Sequence, residues 1–308
     1  MEKSNLQAAI DVGSNTLRML IGHCSADSLQ PELYQQQITR LAGNYLPGKG
    51  LAPESIERTL AAITDFANLL EEKQVDQVRV VGTAALRRAE NSEYLVKLIK
   101  LKTRLQLEIV SGAEEARLSA AGVLTALVPC PEVALIFDIG GGSTEIVFCT
   151  DRQIQFSCSY PLGVVQLCEE MPDAEQRLQY LSNMVVKFST DLLYAGISPD
   201  LLSSCQLVGT AGTVTTLAAM NLQMSHYDRS RINNQQLSKS WLGKTLKSLY
   251  GMTVSERERL PGLEPGRGDL IVPGLELILT LCRYFQKGAI TVADSGLLEG
   301  ILLDFCND

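Results

Sequence analysis

The residues best suited to chemistry run from Asp138 to Glu145, Asp-Ile-Gly-Gly-Gly-Ser-Thr-Glu. Glycines without Cβ atoms, free to take positive φ, let several backbone N–H groups converge on one anion, here at Gly140, Gly141 and Gly142. Ser143 and Thr144 add hydroxyl donors, and Asp138 is placed to hold a divalent cation or orient a water. The plainer role of the same residues is a tight hairpin turn capped by its Asp, and this stretch alone leaves both open. A second candidate is Ser111-Gly-Ala-Glu-Glu-Ala-Arg. Ser111 and Glu114 fit a Ser-x-x-Glu capping box, which gives Glu114 a structural duty and leaves Glu115 spare. The helix dipole favours the ionised carboxylate there, so Glu115 could accept a proton from a water, although first-turn stabilisation is the commoner duty. Arg87 lies just past the buried strand Val78 to Val81, where ligands gather in α/β folds. With Arg88 it could equally open a solvated helix. Gly209-Thr210-Ala211-Gly212-Thr213 stands at a strand–helix junction, suited to cradling an anion or to starting a helix tightly.

The elements that position these residues repeat. Asp138 follows the apolar strand Val133 to Phe137 and precedes the strand Ile146 to Phe148. Asp11-Val-Gly-Ser-Asn-Thr likewise lies between the small strand Ala8 to Ile10 and the strand Leu17 to Ile21. Val81-Gly-Thr-Ala reappears as Val208-Gly-Thr-Ala, so two motifs recur at one offset (11 to 138, 81 to 208). Such an echo predicts an internal duplication, with two Asp-x-Gly turns facing one cleft. Between the motifs the pattern predicts a helix over 53–73, with Pro53 early and apolar residues at helical spacing. Strands are expected at Leu107 to Val110, Ile154 to Ser159 and Gln206 to Val208, with helices over 174–194, from Ile271, and at the C-terminus. Pro129 and Pro131 mark a boundary, giving domains 1–127 (joined by a C-terminal helix at about 295–308) and 128–294.

Composition narrows the function classes. The chain has 308 residues, 45% hydrophobic and 20% charged, enough for about two domains with their own cores. No apolar run approaches the ~20 residues that span a membrane. The N-terminus enters the first strand without a signal-peptide core, so a cytoplasmic enzyme is expected. The net charge of −8 argues against nucleic-acid partners but not against a small polyanion in a locally positive cleft. Eight cysteines without a Cys-x-x-Cys pair argue against a zinc site or disulfide framework. The two histidines, His23 and His226, have no partner at catalytic spacing. Gly43 to Gly50 falls one residue short of a P-loop, because Gly50 stands where Ser or Thr would follow Lys49. The basic stretch 226–259 is read as mostly a solvated helix face.

Together these motifs resemble the exopolyphosphatase/guanosine pentaphosphate phosphatase (Ppx/GppA) family, in the actin, sugar kinase and Hsp70 superfamily. Six motifs match in the family's order: Asp11-Val-Gly-Ser-Asn, Gly82-Thr-Ala-Ala-Leu-Arg, Ser111-Gly-Ala-Glu-Glu-Ala-Arg, Asp138 to Glu145, Gly209-Thr-Ala-Gly-Thr and Arg267-Gly-Asp. The resemblance implies an α/β fold of two duplicated ribonuclease H-like domains around a phosphate-binding cleft. It implies Glu115 as general base, with Asp138 and Glu145 tied to Mg²⁺ and the catalytic water. It implies phosphate contacts from Ser14, Asn15, Arg18, Arg87, Gly141, Gly142, Ser143 and Thr144, beside the Asp11 turn, and a guanosine-ligand contact from Arg267. Gly209, Thr210, Gly212 and Thr213 complete the substrate cradle. A soluble homodimer acting on polyphosphate or a guanosine polyphosphate is the family expectation, without nucleic-acid or membrane partners. Leu298 stands where the family often has Arg, and the chain looks like the short form, without extra C-terminal helical domains.

The mechanism so implied is in-line water attack on a terminal phosphoanhydride, with no covalent intermediate; no Cys-x5-Arg motif or suitable histidine offers one. Competing readings are an ATP-dependent kinase or ATPase of the same superfamily and a non-catalytic guanosine tetraphosphate sensor.

Overall fold

A computed structural model describes residues 6–25, 28–45, 48 and 50–305. The chain forms two compact units, Met1–Gly122 with Gly296–Asp308, and Val123–Ser295. The P-loop-like Lys49 and the extreme N-terminus lie outside the described residues.

The first unit opens with β1 (Gln7–Val12), β2 (Thr16–Ser25) and β3 (Ser28–Ile38). It continues through α1 (Pro53–Lys73), β4 (Gln77–Gly82), α2 (Ala84–Arg88), α3 (Ser92–Thr103), β5 (Leu107–Ile109) and α4 (Gly112–Ala126), within which the division falls. β3 was not legible as a strand: its Gln-rich residues do not alternate as a half-buried strand does. It pairs with β2 alone, so little apolar burial was needed to place it. The sheet order is β3-β2-β1-β4-β5, an antiparallel meander through β1 followed by parallel β4 and β5.

α1 shows how local chemistry sets an element. Pro53 supplies the pre-set φ of a first turn, and Ile56, Leu60, Ile63, Phe66 and Leu70 recur on one face and are buried. The helix stops at Gln74, whose left-handed φ of 54° directs its N–H back to the last-turn carbonyls. Each such apolar side chain contributes roughly 1.5–3 kcal/mol when fully buried.

The second unit contains β6 (Val133–Ile139), β7 (Thr144–Thr150), β8 (Gln153–Tyr160), α5 (Val164–Glu170), α6 (Ala174–Tyr194) and α7 (Pro199–Ser204). Then come β9 (Gln206–Thr210), α8 (Ala211–Asn221), β10 (Gln236–Ser238), α9 (Lys239–Tyr250), α10 (Val254–Arg257), α11 (Ile271–Tyr284) and β11 (Ala289–Val292). α11 is almost wholly buried from Ile271 to Cys282 and packs on α5, α6, α8 and α9. Within it Glu276 is neutralised by Arg177 of α6 and receives the Tyr250 hydroxyl, so the buried charge is paired.

The sheet reads β8-β7-β6-β9-β11-β10. Its first five strands repeat the order and orientation of the first unit, meander then two parallel strands. Even the turn hydrogen bond repeats, Gly13 N to Thr16 O at 3.2 Å and Gly140 N to Ser143 O at 2.9 Å. The molecule is therefore α/β, built from two duplicated ribonuclease H-like domains.

α12 (Leu297–Asp304) returns to the first unit and covers the face of its sheet bearing Ala9, Leu20 and Val81. Gly300 permits this, because a Cβ there would sit 1.8 Å from the Leu118 carbonyl oxygen of α4. Leu298 lies in that apolar cluster, 3% exposed. Here it packs the core. Among the described residues no helix is long and apolar enough to cross a membrane. Six described cysteines are free, but Cys24 is disulfide-bonded, which spacing alone did not reveal.

Candidate functional site

In the first unit Asp11, the penultimate residue of β1, stands directly opposite Arg18 of β2. Arg18 donates from Nε and Nη2 to Asp11 Oδ2 at 3.0 and 2.6 Å. Two of the Arg18 donors are therefore engaged by a carboxylate of its own unit. The other oxygen, Asp11 Oδ1, is buried and finds no partner in the protein, as do Asn15 Oδ1 and Thr39 Oγ1. Buried acceptors without partners mark places where a ligand or water donor belongs. Ser14 and Asn15 are buried beside them, their carbonyls receiving the N–H groups of Ala42, Thr39 and Arg40.

The same unit brings Glu115 and Arg87 together. Arg87 Nη1 donates to Glu115 Oε2 at 2.5 Å and to the Val110 carbonyl at 3.2 Å. The motifs placed each residue near a strand end but gave no indication that one orients the other. The neighbouring Glu114 behaves differently from the capping-box expectation. Its N–H does bond Ser111 Oγ at 3.1 Å, but its carboxylate grips Arg117 with two bonds of 2.8 Å. The hydrogen bonds from Arg117 hold its carboxyl below the ordinary 4.5, against the opposing effect of burial. Arg117 and Arg79 both reach Asp304 on α12, so this cluster ties the helix down structurally.

In the second unit Asp138 of β6 stands directly opposite Glu145 of β7 and, on its other side, opposite Thr210 of β9. The duplication makes the contrast instructive. The positions that hold Asp11 and Arg18 in one unit hold two carboxylates in the other. Like charges directly opposite on a sheet are destabilising, and a hard divalent cation with oxygen ligands offsets that. Ser159 Oγ of β8 donates to Glu145 Oε1 at 2.6 Å and orients it. The sequence reading missed Ser159; the meander register, which pairs it with Glu145, could have found it.

The Gly140–Gly142 loop is not built on positive φ, contrary to the glycine argument. The left-handed glycines lie elsewhere, at Gly48, Gly50, Gly196, Gly262 and Gly266. The close approach is made by Gly163, which packs against the loop: a Cβ on Gly163 would fall 2.1 Å from Gly141 O and 2.3 Å from Gly142 Cα. The α5 amides of Val164 and Val165 donate to the carbonyls of Gly140 and Gly141, which fixes the loop. Ser143 is buried in it. Thr144 is fully buried, and its hydroxyl donates to the Leu162 carbonyl at 2.5 Å, so that side chain holds the loop together.

At the end of β9, Gly209 packs under the Phe137 ring and Thr210 Oγ1 donates to the Ser295 carbonyl at 3.1 Å. Ala211 opens α8 with a left-handed φ of 67°, a strained conformation for a residue with a Cβ. No side chain caps α8, so its first N–H groups are available to an anion. Arg267 lies over this turn: a Cβ on Gly212 would be 2.1 Å from Arg267 Nη1. Glu264 fixes the guanidinium through Nε at 2.7 Å, and Thr213 rests against Gly274 of α11.

Among the described residues no group of three or more Asp, Glu, His or Cys is arranged to hold a metal. Two carboxylates, Asp138 and Glu145, with phosphate oxygens and water completing the shell, suit Mg²⁺, which keeps several waters and takes few protein ligands.

Comparisons with known proteins bear on the family and the fold. A model of the Ppx/GppA phosphatase family matches residues 21–307. The chain is 33% identical over 310 residues to exopolyphosphatase 2 of Mycobacterium tuberculosis, covering 96% of this chain and 97% of that one. The crystal structure of an exopolyphosphatase from Cytophaga hutchinsonii superposes with a TM-score of 0.87 at 27% identity, over 98% of each chain. The Aquifex aeolicus family member gives 0.77 at 28% identity, over 97% of each. With two duplicated sheets, an Asp-x-Gly turn at the head of each and a family match over nearly its whole length, this chain belongs to the Ppx/GppA phosphatase family.

Proposed function

We propose that the protein is a phosphohydrolase that releases terminal orthophosphate from inorganic polyphosphate, with guanosine pentaphosphate as a second substrate of the same site. The observation that carries this reading is the facing pair Asp138 and Glu145 beside the uncapped start of α8 and the Arg267 guanidinium. A carboxylate pair with anion donors next to it suits a phosphoanhydride accompanied by a divalent cation. The names of its relatives point to the same substrate.

Phosphoryl transfer to water is catalysed chiefly by positioning and charge neutralisation. Arg267 and the α8 amides would hold phosphoryl oxygens, and Asp138 and Glu145 would hold Mg²⁺, which would supply neutralisation of the charge on the transferred group. Ser159 keeps Glu145 oriented. In the first unit Glu115 takes the proton of the attacking water at Oε1 or Oε2, and Arg87 fixes the carboxylate for that task. General-base assistance of this kind contributes about 10² to 10⁴ in rate.

The test is orthophosphate release by the purified protein with Mg²⁺, comparing long polyphosphate, tripolyphosphate, guanosine pentaphosphate and ATP. Release from polyphosphate or pentaphosphate but not ATP is expected. Silence on the first three would overturn the reading, and turnover confined to ATP would favour a kinase or ATPase.

A further inference from the structure

α9 and α11 flank a hollow of about 370 Å³ in the second unit, floored by the buried Leu246 and Leu279. Three cations line it: Lys239 and Lys247 from α9 and Arg283 from α11. Among the described residues none of the three side chains is engaged in an ion pair or hydrogen bond. α9 carries three lysines and no carboxylate, on a chain whose net charge is −8. The facing acidic group, Glu276, is wholly buried and already neutralised by Arg177. Burial pushes the Cys282 thiol up to about 11, and the charges of Lys239 and Arg283 both act to lower it.

Gly243 supplies the second, independent observation. It sits in the middle of α9, where glycine costs about 1 kcal/mol relative to alanine. A Cβ there would meet nothing within 4 Å. No neighbour in the protein excludes a side chain at that position. Its absence keeps the hollow open on the side between Lys239 and Lys247, which are eight residues or about 12 Å apart along the helix.

We propose that this hollow is a second polyanion site, taking a run of inorganic polyphosphate. Only the choice of polyphosphate as ligand rests on the proposed function; the polyanion chemistry comes from the hollow itself. The site is separate from the hydrolytic centre. Gly274, which touches Thr213, and Arg283 are nine residues apart on α11, about 14 Å along its axis. Lysine ammoniums and the arginine fork are suited to phosphoryl oxygens. Because all three are partly or fully exposed, binding should weaken steeply with salt.

The experiment is a calorimetric titration of the whole protein with sodium polyphosphate in EDTA, where metal-dependent turnover is suppressed. Wild type should show two classes of site. The charge-reversal variant K239E/K247E/R283E, altered only at solvent-facing positions, should lose one class or bind it about tenfold or more weakly. Gly243→Phe, which fills the hollow without changing charge, should do the same, whereas Gly243→Ala should bind like wild type. Wild-type affinity and stoichiometry in both the triple variant and Gly243→Phe would overturn the proposal. Weakening by charge reversal but not by Gly243→Phe would also overturn it, as unspecific attraction. If wild type shows one class and both variants lose it, the second site stands and the hydrolytic reading fails. If the one class survives in both, the hydrolytic reading stands and the second site falls.

Discussion

Replacing Glu115 by Gln separates catalysis from architecture because the two costs differ. The amide keeps the size of the side chain, and its oxygen can still accept from Arg87 Nη1, now 2.5 Å from Oε2. What is lost is the charge. The paired side chains are 22% and 12% exposed, so the ion pair is partly screened. Its loss should cost about 1–2 kcal/mol of stability. That corresponds to a fall of roughly 2–8 °C in the melting temperature of a unit of this size. Against a folding stability of about 5–15 kcal/mol the variant stays folded at 25 °C. Loss of the general base should instead lower kcat by about 10² to 10⁴, or about 3–5.5 kcal/mol of transition-state stabilisation. The assay is steady-state orthophosphate release from polyphosphate with Mg²⁺, alongside thermal denaturation and calorimetric binding of the same substrate. The expected result is a collapsed kcat with nearly unchanged binding. A kcat within about tenfold of wild type would refute the role assigned to Glu115.

Four further outcomes follow from particular contacts. Ser159→Ala removes the 2.6 Å bond that orients Glu145, and the Mg²⁺ concentration for half-maximal activity should rise about tenfold; a wild-type Mg²⁺ curve would show that Ser159 does not position that carboxylate. Gly212→Ala should displace the movable Arg267 guanidinium and raise KM about tenfold with the protein still folded, since two or so hydrogen bonds to charged groups are weakened; crystallography or KM measurements that find Arg267 undisturbed would contradict this. Glu114 has a folded pKa below 4.5, so its stabilisation is present above pH 4.5 and is lost as pH falls through the folded value. Glu114→Gln should therefore be less stable than wild type in urea at pH 7, with the gap closing as pH falls below 4.5, and a gap that widened in acid would reverse the sign. Gly300→Ala forces α12 away from the Leu118 carbonyl and should cost about 1–3 kcal/mol in chemical denaturation; an unchanged midpoint would mean the helices can separate freely.

Much of the fold was legible because it is written locally. Apolar strands flanking each Asp-x-Gly turn, the equal offsets of the two echoes, and the proline-led helix Pro53–Lys73 are all short-range patterns. The duplicated sheets follow from them, since similar stretches with similar turns settle into similar meanders. β3 escaped because a Gln-rich sheet-edge strand carries little hydrophobic alternation. The glycine loop was located from its sequence, but Gly163, which must lack a Cβ to pack against the backbone of Gly141 and Gly142, was not, because that contact joins segments about twenty residues apart.

The site divides along the same line. Residue types and order alone were enough to name Asp11, Glu115, Asp138, Glu145 and the Gly209–Thr213 turn as places where phosphate chemistry could occur, and to identify the family. Only the tertiary structure decided what each side chain is bound to. It spends Arg18 on Asp11, Thr144 on the Leu162 carbonyl and Glu114 on Arg117, joins Arg87 to Glu115, and recruits Ser159 and Glu264 as supports. It also brought Arg283 to Lys239 and Lys247 from a different helix. The physical reason is that a turn or a helix start is specified by neighbours in the chain. A hydrogen-bond partner depends on strand register and helix packing, which are fixed by burying apolar surface gathered from the whole unit.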